Sequence, residues 1–336
     1  MLRSFLKTGL AWGLHHSGIG RRRSPFVAGY HRTADEFPTD PKATIPSLCI
    51  SVKMLERQLD WIGQRFRFVP LDELDDELDH AHSQPVAAVT FDDGYQDFYQ
   101  YAFPLLKRKG IPAAVFVVTD LIGTAKLQIH DLLYLLLARS GPPEGAQAQL
   151  EVILAARPQS EVLRLIEALE ANAEIETEVL QAHRSLNWDE IAEIHKAGIT
   201  IGSHTRTHVV LPNEDAGKVA AELAGAREIL ESRLGAPVRH FAYPCGQFND
   251  ATVEAVDQAG YGFAYTICAH RDRRFPRLTI PRKLLWENSC LDAVGSFSPS
   301  IMGCQVHGLL DRFSPCELSH GVSPLEVHPG SGLASN

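Results

Sequence analysis

Short, compact apolar runs alternate with amphipathic helical stretches along most of this chain, and that alternation narrows its fold more than any other feature. Phe26 to Tyr30 reads as a short strand, and Met54, Leu55, Leu59, Ile62 and Phe66 follow at helical spacing. Ala87 to Phe91 is a buried strand running into Asp-Asp-Gly. Gln96 to Lys109 is a helix stopped at Gly110, with Pro104 inside it to kink or divide it. Ala113 to Val118 is a second buried strand. The pattern resumes at Asn187, an N-cap with Glu190 three residues on, as in a capping box. Strands follow at Ile199 to Gly202, Val238 to Tyr243 and Gly262 to Ile267, with helices at Asp215 to Leu234 and Asp250 to Ala259 between them. Alternating strands and helices imply a mostly parallel sheet with right-handed crossovers. The fold class is therefore α/β, as a distorted (β/α) barrel or, alternatively, an open doubly wound sheet.

Residues 120–186 break the alternation. Leu132 to Ala138 and the set Val162, Leu163, Leu165, Ile166 and Leu169 are helical, around a Pro/Gly-rich stretch at 141–145. This reads as a helical insertion in one catalytic domain spanning 26–300. Residues 301–336, rich in Ser, Pro, Gly and His toward the end, read as a poorly ordered tail. Residues 1–25 form an amphipathic segment: Leu2, Phe5, Leu6 and Leu10 on one face, then Arg21, Arg22 and Arg23. It packs on its own domain or touches an anionic membrane surface.

The net charge of −9 argues against nucleic acid as a partner, since a phosphate backbone calls for a basic face. The six cysteines form no Cys-x-x-Cys pair and no regular framework, which favours a reducing compartment. No secretory signal and no run long enough to span a membrane is found, so the expected location is cytoplasmic or membrane-peripheral. Oligomeric state is not readable.

Four short segments can carry chemistry. Asp92 and Asp93 sit where a buried strand ends, the place where active sites of parallel α/β folds gather. Two adjacent carboxylates repel, and a bound dication lets both stay ionised. On its own, Asp-Asp-Gly is equally a surface turn. His204 and His208, four apart, follow the strand at 199–202 and belong on the same rim. One carboxylate and two imidazoles make an open three-ligand site of the kind a catalytic dication needs. At Tyr243-Pro244-Cys245-Gly246, backbone N–H groups after the proline can face a cavity and stabilise an oxyanion, although the segment by itself is an ordinary turn. His31, after the first strand, is a candidate acid on that rim.

Together these segments resemble the polysaccharide deacetylases of carbohydrate esterase family 4, the NodB-homology family. Thr-Phe-Asp-Asp-Gly at 90–94, Ser-His-Thr-x-x-His at 203–208 and Phe-Ala-Tyr-Pro-x-Gly at 241–246 match its three motifs in order, and the resemblance covers roughly 26–290. It implies a distorted (β/α) barrel and a metal-dependent hydrolase that removes N-acetyl groups from an N-acetylated polysaccharide or oligosaccharide. An O-acetyl esterase or an inactive sugar-binding relative is the alternative. By the same resemblance Asp93, His204 and His208 hold a divalent metal, zinc by default, with nickel, cobalt or iron fitting similar ligands. Asp92 is then the general base, and the Cys245 backbone N–H binds the oxyanion. The usual C-terminal Leu-x-His segment has no good counterpart here. Tyr30-His31 instead resembles the early Tyr-His of a permuted branch that includes poly-N-acetylglucosamine deacetylases, which assigns the acid to His31. Tyr243 stands where the family often has Arg, so Arg282 is the candidate for orienting Asp92. Tyr95 and Tyr243 are expected to line the sugar site. His130 and Asp131, in the insertion, are further candidates for site contacts. The polymer itself is open: chitin oligomers, poly-N-acetylglucosamine, peptidoglycan or a lipid-linked saccharide.

Overall fold

The computed structural model describes residues 25–74, 85–268 and 270–309. The amphipathic segment before residue 25 and the tail from residue 310 lie outside these residues. The strands are β1 (Phe26–Tyr30), β2 (Arg32–Ala34), β3 (Cys49–Ser51), β4 (Arg67–Phe68), β5 (Val86–Phe91), β6 (Ala114–Val117), β7 (Thr200–Ser203), β8 (His240–Ala242), β9 (Phe263–Thr266), β10 (Ile280–Pro281) and β11 (Lys283–Leu284). The helices are α1 (Val52–Gly63), α2 (Phe103–Lys109), α3 (Ile129–Ser140), α4 (Ala146–Ala156), α5 (Gln159–Glu170), α6 (Thr177–Ala182), α7 (Trp188–Lys196), α8 (Ala216–Leu234), α9 (Asp250–Gln258) and α10 (Pro299–Val306).

The main sheet runs in the order β10-β9-β8-β7-β6-β5-β1-β11, with β4 added beside β5, and every pairing is parallel. Its two outermost strands are neighbours in sequence, separated only by Arg282. Ile280 pairs with Tyr265 at one edge, while Lys283 and Leu284 pair with Ala28 and Gly29 at the other. A single five-residue stretch therefore bridges both edges, and the sheet nearly closes. The distorted barrel is the architecture found, rather than the open sheet.

Side chains alternate between two apolar layers. Phe26, Ala28, Tyr30, Ala87, Val89, Phe91 and Val115 pack with helix residues such as Leu55, Ile62, Leu106, Ile194 and Leu223. The intervening Val27, Val86, Ala88, Ala114, Phe116, Ala242 and Ile280 form a second cluster with no residue of α1 to α10, which places them inside the barrel. Continuing the inward series along β5 from Val86 through Ala88 and Thr90 brings Asp92 to the barrel mouth, and the series from Ile280 does the same for Arg282.

Local signals account for most elements. Asn187 and Glu190 form the expected capping box of α7. Asp215 caps α8, and Gly235 ends it in the left-handed region. A wide helical turn at Phe98–Ala102 precedes α2, just ahead of Pro104, whose ring cannot tolerate the carbonyl one regular turn back. Between β6 and α7 the chain builds α3 to α6, with its own apolar cluster of Leu133, Leu136, Leu150, Leu154, Val162 and Ile166. One stretch departs from the expected tail. Pro299–Val306 is a helix, capped by Ser298 and buried along Ile301 to Val306. Its short, mixed sequence hides it, whereas the Ser-Pro start is an ordinary helix signal. Among the described residues, no helix is long and apolar enough to cross a membrane.

Candidate active site

A cavity of about 550 Å³ opens at the barrel mouth, and His31, Asp92, Asp93, His130, His204, His208, Tyr243 and Cys245 line it. The connections after β1, β5, β7 and β8 deliver seven of them, and α3 supplies His130. Among the described residues, the non-glycine positions with left-handed backbone are Asp93 (φ 70°), Thr205 (φ 66°), His208 (φ 60°) and Cys245 (φ 54°), all in those loops. Such conformations cost on the order of 1–3 kcal/mol each and persist where surrounding contacts enforce them.

The contacts are visible. Gly94, also left-handed, lies so close to Val117 that a Cβ there would stand 2.8 Å from Val117 Cγ1. Gln128 Nε2 donates to the Asp93 carbonyl at 2.8 Å. Thr205 Oγ1 accepts from the His208 N–H at 2.9 Å. Glu222 of α8, 3% exposed, accepts from the N–H groups of Arg206 and Thr207 at 2.8 and 2.9 Å and from the Thr207 hydroxyl at 2.7 Å. Sequence reasoning passed over Glu222, because one glutamate on a polar helix carries no mark of its burial.

Arg282 holds Asp92 with two hydrogen bonds, Nη1 to Oδ1 and Nη2 to Oδ2, both 2.6 Å. The same Nη1 donates to Thr90 Oγ1 at 3.0 Å, and the guanidinium lies 5.3 Å from the centre of the Phe116 ring. Burial pushes the Asp92 carboxyl up, but the charge and hydrogen bonds of Arg282, with His204 and His31 nearby, outweigh it and leave the pKa below the ordinary value. His31 Nε2 stands 3.9 Å from Asp92 Oδ2. Burial draws the His31 pKa down, against the pull of Asp93 and Asp92.

Asp93 is different. It is 1% exposed, and neither of its oxygens makes a hydrogen bond. Three imidazoles surround it: His204 Nε2 and His208 Nε2 at 3.5 and 3.2 Å from Oδ1, and His130 Nε2 at 3.5 Å from Oδ2. Burial pushes this carboxyl up, while His130 and His208 pull it well below the ordinary range. His204 Nδ1 faces the Ala242 carbonyl at 2.7 Å, which turns Nε2 toward Asp93. Burial pushes the His204 pKa down to about 4, so the ring is neutral and its Nε2 lone pair is available. A buried carboxylate without hydrogen bonds, ringed by imidazole nitrogens at these spacings, suits a divalent cation. The donor atoms of Asp93, His130 and His208 lie within 4.8 Å of one another, a set in which His130 stands where His204 was expected. His130 thus belongs to this group more closely than a general site contact would.

Tyr243 and Cys245 line the cavity as expected; Tyr243 is packed against Phe241 and Phe248. Tyr95 does not line it. At 1% exposure it stands behind His130, with its hydroxyl donating to Asp131 Oδ2 at 2.6 Å and meeting His130 Nε2 at 2.9 Å. The strand pairing of Tyr95 with Ser185 at the end of the insertion turns it away from the opening. The insertion walls one side of the cavity through Leu150, Glu151 and Leu154 of α4.

Comparison with known proteins agrees with this geometry. A family model described as polysaccharide deacetylase matches residues 79–264, more than half of the chain. The protein YxkH of Bacillus subtilis (strain 168), provisionally named a polysaccharide deacetylase, is 22% identical over 188 residues. That alignment takes in 56% of this chain and 47% of YxkH, so the match spans about half the length of this curated relative. The fold is similar to that of the Streptococcus pyogenes deacetylase PplD in complex with acetate, with TM-score 0.57, 18% identity, and coverage of 84% of this chain and 97% of PplD. IcaB from Ammonifex degensii has TM-score 0.53 and 22% identity, over 79% of this chain and 93% of IcaB. A de-N-acetylase from Aggregatibacter actinomycetemcomitans has TM-score 0.52 and 18% identity, over 78% and 95%.

Proposed function

Because the chain belongs to the polysaccharide deacetylase family, we propose that it is a metal-dependent hydrolase that removes N-acetyl groups from an N-acetylated polysaccharide or oligosaccharide and releases acetate. One observation carries this reading: at one barrel mouth an Arg-paired carboxylate, Asp92, adjoins a carboxylate without hydrogen bonds, Asp93, that imidazoles surround. The first suits a base and the second a metal ligand. A dication held by Asp93, His204 and His208 would lower the pKa of water to about 7 and polarise the acetyl carbonyl.

The chain's own groups do the rest. Asp92, kept ionised by Arg282, accepts the proton of the attacking water. The Cys245 backbone N–H donates to the carbonyl oxygen as it gains negative charge. His31, on the same cavity wall, gives a proton to the departing amine nitrogen, without which the C–N bond does not break at neutral pH. Tyr243 contributes to the sugar-facing wall. An amide substrate, rather than an ester, is favoured by the presence of a separate acid beside the base, and one protein sharing the fold is a de-N-acetylase.

Acetate release from soluble N-acetylglucosamine oligomers, with and without added zinc, tests the reading, with Asp92→Asn as control. Metal-dependent release that disappears in the variant supports it. Release only from O-acetylated sugars moves the activity to ester hydrolysis, and absence of both release and metal binding removes the enzyme assignment.

A further inference from the structure

We propose that His130, brought in by the helical insertion, is a ligand of the metal, so that the centre holds three imidazoles and one carboxylate. This rests on the dication site proposed above and deepens it, because the insertion then becomes part of the metal centre and not only a wall of the cavity.

Spacing is the first argument. Donor atoms about 2.1 Å from one ion stand roughly 3.0 Å apart at octahedral angles and about 3.4 Å apart at tetrahedral ones. His204, His208 and His130 lie 3.5, 3.2 and 3.5 Å from the Asp93 oxygens, without hydrogen-bond geometry. His130 meets this test as well as the two histidines of the loop after β7. Its ring centre is 4.6 Å from that of His208, against 4.9 Å between His204 and His208.

Construction is the second. His130 is 4% exposed at the start of α3, a costly place for a titratable ring without a task. Gln128, immediately ahead of that helix, donates to the Asp93 carbonyl, which ties the insertion to the carboxylate's own backbone. Behind the ring, Tyr95 and Asp131 form a hydroxyl–carboxylate pair at 2.6 Å, with the Tyr95 oxygen 2.9 Å from His130 Nε2. The Tyr95 oxygen thus meets the same nitrogen that faces Asp93, so it is a contact the ring would exchange for an ion and not a brace on its other nitrogen.

Coordination number follows. Four protein donors saturate a tetrahedral ion, so an ion that also admits water and a carbonyl must be five- or six-coordinate.

X-ray absorption of the zinc-loaded and the cobalt-loaded full chain counts the imidazoles directly, without any variant. Three are expected, and two would overturn the proposal. His130→Ala should weaken zinc binding, measured by chelator competition, by at least the roughly 10–100-fold typical of losing an outer brace. Tyr95→Phe, which removes only a contact that ligation displaces, should not weaken it and should keep the cobalt absorption spectrum of three imidazoles. Unchanged affinity in a folded His130→Ala protein overturns the proposal. Two imidazoles with metal-dependent acetate release remove His130 alone, whereas a wild-type chain that binds no metal removes the proposed function too.

Discussion

Arg282 and Asp92 are joined by two parallel hydrogen bonds of 2.6 Å, and Arg282 is the residue at which the barrel closes. The link between closure and catalysis is geometric. The stretch that pairs with β9 and then with β1 has room for one residue between the two pairings, and that residue projects onto the proposed base.

Arg282→Lys should therefore change the pH dependence of turnover as well as its size. Arg282 holds the Asp92 pKa below its ordinary value, against burial that raises it. A lysine keeps a charge but loses the two-pronged geometry. Less opposition to burial raises the Asp92 pKa, and the base must be ionised to act. The acid limb of kcat/KM against pH should move to higher pH, with kcat reduced roughly tenfold or more at the former plateau. An unmoved acid limb would show that Arg282 supports the barrel and not the base.

Asp93→Asn should abolish metal binding while leaving a folded protein, since the amide fills the same buried place without the charge. With zinc at a hundred times its Kd, the wild-type chain should gain about 2.7 kcal/mol of stability. The variant should gain none. Thermal unfolding with and without zinc, beside metal content by mass spectrometry, measures both. An equal zinc-induced shift in both proteins would place the ion elsewhere.

Glu222→Ala tests how the loop after β7 is held. Two backbone N–H groups and a hydroxyl lose one carboxylate, in a place that is 3% exposed. Hydrogen bonds to a charged group contribute about 1.5–3 kcal/mol each, and solvent entering the gap recovers part of this. A loss on the order of 2–4 kcal/mol in denaturant unfolding is expected, with zinc affinity reduced roughly 10–100-fold as for other outer braces. Loss of stability with unchanged metal affinity would separate the helix contact from the centre.

Much of this was legible in the amino-acid order, for physical reasons. β1, β5 and β6 are dense apolar runs because both their faces are buried. Asn187, Asp215, Gly110 and Gly235 punctuate the helices because orphan backbone groups need them. Asp92, Asp93, His204, His208 and Cys245 were singled out because the ends of parallel strands gather at one rim. The closing strands were not: two residues each, β10 and β11 carry no periodicity. His130 was only a loose candidate, since on the apolar α3 it looks like one more core side chain. Tyr95 was assigned to the wrong side of the site, because adjacency to Asp93 in the chain does not say which way a left-handed turn throws the next residue. The strain at Asp93, Thr205, His208 and Cys245 has no sequence signal at all, as none of them is the glycine that such backbone favours.

The role of His31 can be isolated by the leaving group. Burial holds its pKa low, yet the neighbouring carboxylates oppose that burial, and Asp92 lies 3.9 Å from its Nε2. The proton that Asp92 takes from the attacking water balances the step when it is handed on to His31 Nε2, 3.9 Å away, and from there to the departing nitrogen. An amine needs that proton to leave, whereas a nitrophenolate does not. His31→Gln should therefore lower acetate release from N-acetylated sugars by roughly 10²–10⁴-fold, the usual contribution of a general acid. Hydrolysis of a nitrophenyl acetate by the same variant should fall much less, and zinc content should not change. Equal losses on both substrates would mean that His31 positions Asp92 or the sugar and is not the acid. Retention of full amide activity would assign the acid to another group lining the cavity.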